Sequence, residues 1–600
     1  MPKLKTKSAA PLFLTIPAFL LSCLFLGLVS LYFSAGSHGG SLFRWYLTQP
    51  LMLTLNLLPY LLLGLLLLAL TGRAWLSFGL NAAVCLFFSW AQFWKLMARS
   101  DPIYAEDLLI VAEAQQMAGQ YIQFTPEILF SAVAAIAVTA ALWFCRSRVL
   151  RPIPRLSLAA AVVALALWLY PNVYTSARVY NSLKVWPKLN QWIDANRYIS
   201  RGGIYPFLNS IPDAVPTPPE GYDPTEAEAI LSACPSDDIP ADKKVSIIVT
   251  QLEAFADLSR HTDRITGVDP YAEYHALLSE SYYGRLIPNV FAGGTIDTER
   301  CVLTGFSRLE SFRRPSWSYA RYFAEQGYTL QGAHAGYEAF YNRLNVNENL
   351  GLPGYRFIEN YFRDFVSGIP GDEVLLPDIT EHALSAMASA PVFSFNVTYQ
   401  NHGPYSADSA HFDEPFVPQG ELSDSDYHIV NNYLFGIWDT GRQMAAMTDA
   451  FRTLEEPVIL VFFGDHKPWL GEQSVTYEAL GIDITSDADA AFYNYYATDY
   501  LIWANDAARA ALDSDFTGIG PDISPCFLMN VLFRQCGWDG PGYTSLTDPL
   551  LDAVPMLHTS GRYLLDGSLT DSLPADLQEL VTQMEQVQYY LTQDSGGIHP

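Results

Sequence analysis

The sequence has few of the residues that build two common kinds of site. Its 7 cysteines contain no CxxC or CxxxC pair of the kind that ligates structural zinc. The GxxxxGK[ST] pattern is absent, which argues against a P-loop nucleotide site. Lysine and arginine number 35 against 62 aspartates and glutamates, and this balance argues against nucleic-acid binding. Cys526 and Cys536 are either two free thiols or a pair for an oxidising compartment.

Charge is scarcest at the start of the chain. Residues 1–173 carry 11 Lys and Arg and 5 Asp and Glu, and five apolar runs in this region contain no charged residue. A bilayer core of about 30 Å needs about 20 helical residues, which these runs approach or reach. We therefore predict a transmembrane domain over residues 1–174 with five helices, at 11–33, 51–70, 74–94, 128–145 and 156–174.

Basic residues predict the orientation of these spans. They cluster before the first run, between the second and third, and between the fourth and fifth: Lys3, Lys5, Lys7, Arg73, Arg146, Arg148, Arg151 and Arg155. Because cytoplasmic loops are enriched in Lys and Arg, this side is predicted to be cytoplasmic. The N-terminus then lies inside a bacterial cell, and everything after residue 174 lies outside. The outer loop 95–126 has a helix-like pattern that fits either the outer leaflet or a plain connection.

The outer part divides into three predicted segments. Residues 175–243 read as juxtamembrane helices and a Pro-rich linker. In residues 244–545, apolar strand-like runs at 245–255, 391–405 and 457–469 are separated by longer helical patterns, as at 426–451. Such runs predict an α/β domain with a central, mostly parallel sheet covered by helices, with 328–336 as a further strand. Residues 546–600 are predicted to pack on this domain or to trail from it.

Polar residues follow each of the three strong strands. They are Glu253 after the first, Asn401 and His402 after the second, and Asp465 and His466 after the third. Since the carboxyl ends of parallel strands share one edge of a sheet, these side chains are predicted to meet there. Carboxylates with one imidazole suit Mn²⁺, Mg²⁺ or Zn²⁺. Each residue taken alone also fits an ordinary solvated strand end.

A threonine in the segment FAGGTIDTER is a candidate nucleophile. Gly293 and Gly294 come directly before Thr295, and glycine allows close approach of the backbone to a ligand. A metal or a base must take the hydroxyl proton before threonine attacks. The alternative is that Thr295 or Thr298 simply caps a helix.

Two further residues suit phosphate chemistry. Arg343, in FYNR, presents a guanidinium that recognises phosphate, although it could equally pair with a nearby glutamate at the surface. His402, in NHGPY, could donate a proton to a leaving oxygen or bind a phosphate oxygen.

The order of these features resembles a known family. Five spans, a linker, a strand-end Glu253, then GGTIDTE, FYNR, NHGPY and GDH occur in the order found in lipoteichoic acid synthases and phosphoglycerol transferases. This group belongs to the alkaline phosphatase/sulfatase superfamily, and the resemblance runs from the first span to about residue 538. The chain departs from the pattern at Tyr341, where synthases often carry Trp, at His334, where FHG is usual, and after His466, where Lys-Pro-Trp follows.

The resemblance implies a role for each matched residue. Thr295 would be the nucleophile that becomes phosphoglycerylated, and it would complete the shell of one Mn²⁺ held by Glu253, Asp465 and His466. The residues implied to contact substrate are His334, Tyr341, Arg343 and His402.

The implied function is a membrane-anchored phosphoglycerol transferase. It would move glycerol phosphate from the phosphatidylglycerol headgroup through Thr295 to a glycerol phosphate chain, as in lipoteichoic acid synthesis, or to a cell-surface glycan. The alternatives are a phosphoethanolamine transferase, a sulfatase-like hydrolase and an inactive membrane-anchored binding protein. A sulfatase is disfavoured because Cys301 is followed by Val-Leu-Thr and not by the C-x-P-x-R pattern.

Overall fold

The computed structural model describes most of the chain. The described residues are 12–99, 102–108, 124–144, 152–189, 194–214, 216–309, 311–364, 366–471 and 474–595. They form two compact units. One consists of Met1–Thr217 with Ala339–Arg343, and the other of Pro218–Glu338 with Leu344–Pro600.

The five predicted spans are confirmed. Among the described residues, five helices are long and apolar enough to cross a membrane: Leu14–Ser34, Pro50–Thr71, Ala74–Met97, Pro126–Phe144 and Pro154–Tyr174. Local sequence sets their ends, as at the second span. Pro50 occupies its first turn, and Gly72, at φ 68°, closes it in the left-handed conformation that favours glycine.

Short helices follow the last span, at Ala177–Ser182, Asp194–Ser200 and Ile204–Asn209. A buried asparagine of the second span fixes the junction of the last two helices to the bundle. The amide of Asn56 donates to the carbonyl oxygen of Arg201 at 2.8 Å and accepts from the backbone N–H groups of Gly203 and Tyr205 at 3.1 and 3.2 Å. A polar side chain inside an apolar bundle is therefore satisfied by backbone groups.

Much of the orientation pattern lies outside the described residues. This holds for Lys3, Lys5, Lys7, Arg146, Arg148 and Arg151, and for the helix-like pattern at 109–123. Arg155 is described, and its guanidinium donates to the carbonyl oxygen of Ala69 at 2.6 Å.

The predicted α/β class is confirmed by a seven-stranded sheet with the order β3-β4-β1-β5-β6-β2-β7. Neighbouring strands are parallel except for β6, which runs against β5 and β2. The strands are β1 Ser246–Leu252, β2 Tyr282–Leu286, β3 Thr329–His334, β4 Val392–Val397, β5 Val458–Gly464, β6 Thr498–Ala504 and β7 Gly518–Ile519. The 328–336 segment is thus a strand, as predicted.

Helices cover both faces of this sheet, so its central strands are buried throughout. Alternate residues of β1 enter different cores. Ile247 and Val249 belong to one hydrophobic cluster, and Ile248 and Leu252 belong to another. This explains why the strands lack the polar alternation of a half-exposed sheet. The helices after residue 217 are Pro224–Ser232, Ala272–Leu278, Thr295–Thr304, Tyr319–Glu325, Arg343–Asn349, Asp372–Met387, Asp424–Arg452, Thr476–Ala479, Asp489–Tyr496, Asp506–Leu512, Leu528–Cys536, Gly542–Ala553 and Ala575–Gln593.

The last part of the chain packs on the sheet domain. The helix Ala575–Gln593 contributes Val581, Met584 and Val587 to the larger core. The helix Gly542–Ala553 runs across residue 545, where the sequence suggested a boundary. A small antiparallel sheet follows, with β8 Met556–Leu557, β9 Tyr563–Leu565 and β10 Ser568–Thr570. Cys526 and Cys536 are buried free thiols.

Candidate active site

Two adjacent strands deliver the first acidic groups to one point. In the parallel register of β1 and β5, Leu252 pairs with Gly464, so Glu253 and Asp465 follow side by side. A side chain at position 464 would prevent this approach, because an added Cβ would lie 2.0 Å from the backbone oxygen of Phe255. The backbone after β1 can therefore pass this close to the end of β5 only because position 464 is a glycine.

Glu253, Asp465 and His466 form a buried cluster. One ligand atom from each lies within 4.8 Å of the other two. His466 Nε2 is 3.5 Å from Glu253 Oε1 and 3.4 Å from Asp465 Oδ2. Within the part of the chain that the structure describes, no other group of three His, Cys, Asp or Glu residues has this geometry.

Thr295 faces the same cluster from the start of a helix. Its hydroxyl donates to Glu253 Oε2 at 3.1 Å and lies 3.3 Å from His466 Nε2. The helix begins at Thr295 itself, after Gly294 at φ 84°. An alanine Cβ at position 294 would lie 2.8 Å from Val290 Cγ1. The helix-cap alternative is wrong for Thr295, since its side chain bonds to the cluster and not to a helical N–H.

Backbone groups hold the ligand atoms in orientation. Asp465 Oδ1 accepts from the N–H groups of Ala254 and His466, both at 2.8 Å. His466 Nδ1 donates to the carbonyl oxygen of Lys467 at 2.9 Å, which leaves the lone pair on Nε2 in the neutral ring. The hydroxyl of Thr298 donates to the Asp465 carbonyl oxygen at 2.8 Å, so it joins this helix to β5 and does not cap it.

The cluster has the chemistry of a cation site. Asp465 Oδ2 is buried and has no hydrogen-bond partner among the residues that the structure describes. It converges with the Glu253 carboxylate, the Nε2 lone pair and the Thr295 oxygen. A buried carboxylate oxygen that faces other acceptors and receives no donor itself is unfavourable unless a cation lies among them. Oxygen ligands with one imidazole nitrogen fit a divalent ion such as Mn²⁺, Mg²⁺ or Zn²⁺.

The backbone beside the cluster is strained. Ala254, directly after Glu253, has φ 49°, in the left-handed region that non-glycine residues avoid. Its N–H is thereby aimed at Asp465, and the preceding N–H, of Glu253, donates to Thr398 Oγ1 at 2.9 Å. Such strain persists where surrounding contacts hold it, and it concentrates at functional sites.

His402 lies in the loop after β4, in the same compact unit. Its ring stacks on Tyr399 with centroids 4.8 Å apart, and its Nδ1 donates to the carbonyl oxygen of Gly403 at 2.6 Å. Partial burial lowers the pKa of His402, and so does the nearby charge of His466, whereas the bond to Gly403 and the charge of Asp465 oppose this shift. The Nε2 atom of the neutral ring is therefore the one free to accept a proton or a hydrogen bond.

A buried chain of hydrogen bonds supports this loop. Asn401 donates to Thr440 Oγ1 at 3.0 Å, and the Thr440 hydroxyl donates to Asp372 Oδ2 at 2.6 Å. Burial raises the pKa of Asp372 to about 7, against the opposing effect of the Thr440 bond. Asp372 and Thr440 carry no sequence signature, because Asp372 begins one ordinary helix and Thr440 lies inside another.

The remaining predicted residues fall in two places. His334 is the last residue of β3, is buried, and its Nδ1 donates to the Val397 carbonyl oxygen at 3.1 Å. Its ring contacts Tyr399, the residue on which His402 stacks. Arg343 and Tyr341 belong by contact to the unit of the membrane spans, and the Arg343 guanidinium lies 5.4 Å from the Tyr341 ring centroid. Their part at the site stays a prediction.

Comparison with known proteins agrees with this fold. Residues 257–528 match the Sulfatase family. A protein of Rhizobium meliloti (strain 1021), named as a cyclic beta-1,2-glucan modification protein, is 26% identical over 411 residues. The alignment spans 64% of this chain and 61% of that relative.

Solved structures give weaker similarities. A Streptococcus pyogenes phosphoglycerol transferase, GacH, in complex with sn-glycerol-1-phosphate, is 18% identical with a TM-score of 0.46, over 62% of this chain and 95% of that chain. The lipoteichoic acid synthase LtaP of Listeria monocytogenes is 15% identical with a TM-score of 0.42, over 61% of this chain and 97% of that chain. At these scores the two structures carry no argument about the activity of this protein.

Proposed function

We propose that this protein, a membrane protein with a sulfatase-like domain, is a phosphotransferase that moves glycerol phosphate from phosphatidylglycerol to a cell-surface glycan. The supporting observation is the convergence of Thr295 with Glu253, Asp465 and His466 in one buried site. The resemblance in motif order supplies the donor, and the name of the glucan-modifying relative favours a glycan over a glycerol phosphate polymer as acceptor.

The chain's own groups provide the donor half-reaction. The Thr295 oxygen attacks the phosphorus, the bond from phosphorus to the diacylglycerol oxygen breaks, and diacylglycerol leaves with a proton. Glu253, which already accepts the Thr295 hydrogen bond, is placed to receive the hydroxyl proton. His402, once its Nε2 carries a proton, would donate to a phosphate oxygen and stabilise its charge, and the resemblance implies the same role for Arg343.

A divalent cation fits the same residues. Glu253, Asp465 and His466 would hold it with Thr295, and when bound it would supply the positive charge that favours the threonine alkoxide and neutralises phosphate. We expect Mn²⁺, with Mg²⁺ or Zn²⁺ as alternatives.

The acceptor half-reaction reverses these roles. An acceptor hydroxyl attacks the phosphorus, the bond to Thr295 breaks, and the threonine oxygen regains a proton. The prediction from Lys and Arg placement puts the domain on the outer side of a bacterial membrane, where a lipid headgroup and a surface glycan are both within reach. ATP is not consumed in this scheme.

Two rival activities have less support. A sulfatase nucleophile at Cys301 disagrees with the structure, because this thiol is buried in the interior of the Thr295–Thr304 helix and burial raises its pKa. A phosphoethanolamine transferase would share the threonine and the cation, but the order of the motifs resembles the phosphoglycerol transferases, which favours a glycerol phosphate donor.

Intact-mass measurement tests the proposal. The full-length protein in detergent, incubated with Mn²⁺ and phosphatidylglycerol but no acceptor, should gain one glycerol phosphate and release diacylglycerol. Thr295→Ala should do neither, with diacylglycerol release reduced at least a hundredfold. Thr582→Ala, on the C-terminal helix, is the control and should behave like the parent.

Three results would overturn it. They are diacylglycerol release by Thr295→Ala at the parental rate, no adduct in a folded and metal-loaded parent, or an adduct from phosphatidylethanolamine in place of phosphatidylglycerol.

A further inference from the structure

A large polar cavity opens beside the catalytic cluster. Its volume is about 950 Å³, and its walls come from the carboxyl end of β2, the start of β6, the helix Asp489–Tyr496 and the segment after β1. Because β2 and β5 point the same way in the sheet, the cavity lies at the sheet edge that carries the catalytic cluster. Neither Thr295 nor any of the three cation-site residues lines it.

Lys467 joins the two sites. Its backbone carbonyl oxygen orients His466, whereas its side chain lines the cavity. The residue is only 1% exposed. Within the described part of the chain no hydrogen bond or close ion pair of its ammonium group is present, and the carboxylates of Asp499 and Asp257 act on its charge only from a longer distance. A buried ammonium without a partner is costly. Its position in a cavity of this size therefore indicates that a ligand supplies the missing acceptors.

The arginines and aspartates that line the cavity already form ion pairs, including Asp489 with Arg562 at 3.1 Å. Arg260 contacts Asp257 at 3.0 Å and Asp499 at 2.7 Å. Arg285 contacts Asp522, and its guanidinium lies 4.4 Å from the ring centroid of Tyr493. An anionic ligand would gain the Lys467 charge but would approach the four carboxylates that line the cavity. A neutral ligand with many hydroxyls avoids this repulsion, and each fixed carboxylate and guanidinium still has hydrogen-bonding capacity to offer it.

We propose that the Lys467 cavity is a binding site for a neutral oligosaccharide and holds the acceptor glycan beyond its reacting hydroxyl. Lys467 donates to sugar oxygens, the Arg–Asp pairs bond to hydroxyls, and Tyr283 and Tyr493 offer aromatic edges to the sugar rings. The volume suits a short oligosaccharide, since small-molecule sites span about 300–1,000 Å³. The assignment as an acceptor site rests on the proposed function, whereas the sugar binding itself does not.

Binding is measured on the full-length Thr295→Ala protein in detergent, so that the result is independent of turnover. The neutral probe is sophorose, the disaccharide of β-1,2-linked glucose, and the anionic probe is sn-glycerol-1-phosphate. Saturation-transfer NMR and calorimetry should detect sophorose. Adding Lys467→Met should weaken its affinity at least tenfold, whereas Lys243→Met, a matched lysine elsewhere in the domain, should leave it unchanged.

A second variant covers the case in which Lys467→Met fails to fold. Ala490 is an exposed residue of the cavity wall, and Ala490→Trp fills the space without touching the cation site. It should also weaken sophorose binding at least tenfold, and in the otherwise unmodified protein it should raise KM for a glucan acceptor while diacylglycerol release continues.

Three outcomes overturn the inference: no sophorose binding to folded protein, sophorose binding that Ala490→Trp leaves intact, or Lys467-dependent binding of glycerol phosphate in place of sophorose. If sophorose binds as expected but Thr295 forms no adduct, the sugar site stands and the proposed transferase activity fails.

Discussion

At the scale of single residues, the candidate site depends on groups whose partners are far away in the sequence. Glu253, Thr295 and His466 are separated by more than forty positions, as the 42- and 171-residue spacings of their hydrogen bonds show. The motifs picked out these residues, but the supporting groups carry no sequence signature. Gln251 is an example, since its amide donates to the Thr295 carbonyl oxygen at 3.0 Å. An apolar strand with one glutamine gives no reason to expect that contact.

Asp372 gives a prediction about pH and stability. Burial raises the pKa of this carboxyl from 3.8 to about 7, so the folded state prefers the neutral form. Its contribution to stability is fully present below about pH 4 and is lost as the pH rises to about 7. Above that pH the buried carboxyl lowers the free energy of unfolding by on the order of 2–4 kcal/mol.

Asp372→Asn should remove this effect and still accept the Thr440 hydrogen bond. Its Tm in detergent should match the parent near pH 4 and exceed it increasingly up to pH 8, by several degrees. The control is Thr582→Ala, a substitution of a non-titrating residue on the C-terminal helix, which should give the same Tm difference at every pH. A pH-independent difference for Asp372→Asn would contradict the prediction.

At the scale of secondary structure, strands β1, β4 and β5 were predictable because strands buried on both faces read as continuous apolar runs. β2 and β7 were not predicted, since β2 contains Gly284 and Arg285 and β7 has two residues. β6 was also missed, although its seven residues are all buried. Its antiparallel direction depends on pairing with β5 and β2, which no local pattern specifies.

The close passage of two backbone segments predicts the effect of Gly464→Ala. The new Cβ would lie 2.0 Å from the Phe255 backbone oxygen, so the ends of β1 and β5 must separate. We expect a loss of about 1–3 kcal/mol in stability, as for other overpacked sites, and at least a hundredfold loss of diacylglycerol release because Glu253 and Asp465 move apart.

The matched control is Gly441→Ala, inside the helix Asp424–Arg452. There the nearest atom to the new Cβ is 3.8 Å away, an ordinary contact. Alanine favours helix over glycine by up to about 1 kcal/mol, so this variant should be as stable as the parent or slightly more stable, with unchanged activity. Equal behaviour of the two variants in thermal unfolding and diacylglycerol assays would refute the role of Gly464.

At the scale of the whole molecule, the proposed cation site would link catalysis to the stability of the sheet domain, because its residues are buried there. A cation bound only by the folded state stabilises it in proportion to the logarithm of its concentration, by about 2.7 kcal/mol at a hundred times its Kd. Removal of the ion should therefore lower both the activity and the stability of the sheet domain.

Chelation tests this link. EDTA treatment of the full-length protein should abolish diacylglycerol release and lower the Tm, and added Mn²⁺ should restore both. Asp465→Asn removes the carboxylate whose Oδ2 atom has no hydrogen-bond partner among the described residues. The Tm of this variant should no longer respond to EDTA or Mn²⁺. Full activity and an unchanged Tm after exhaustive chelation would rule out the cation site.

The sequence by itself determined the helices and strands that form because of the residues within each segment. Apolar runs long enough for a bilayer specified five spans, continuous buried runs specified the central strands, and motif order specified which residues to consider. The tertiary structure decided what depends on groups distant in sequence. It placed Thr295 within hydrogen-bonding distance of Glu253, left Asp465 Oδ2 without a partner among the described residues, and placed Lys467 in the wall of a cavity. Strand register and burial create these relations, and both arise only when distant segments pack together.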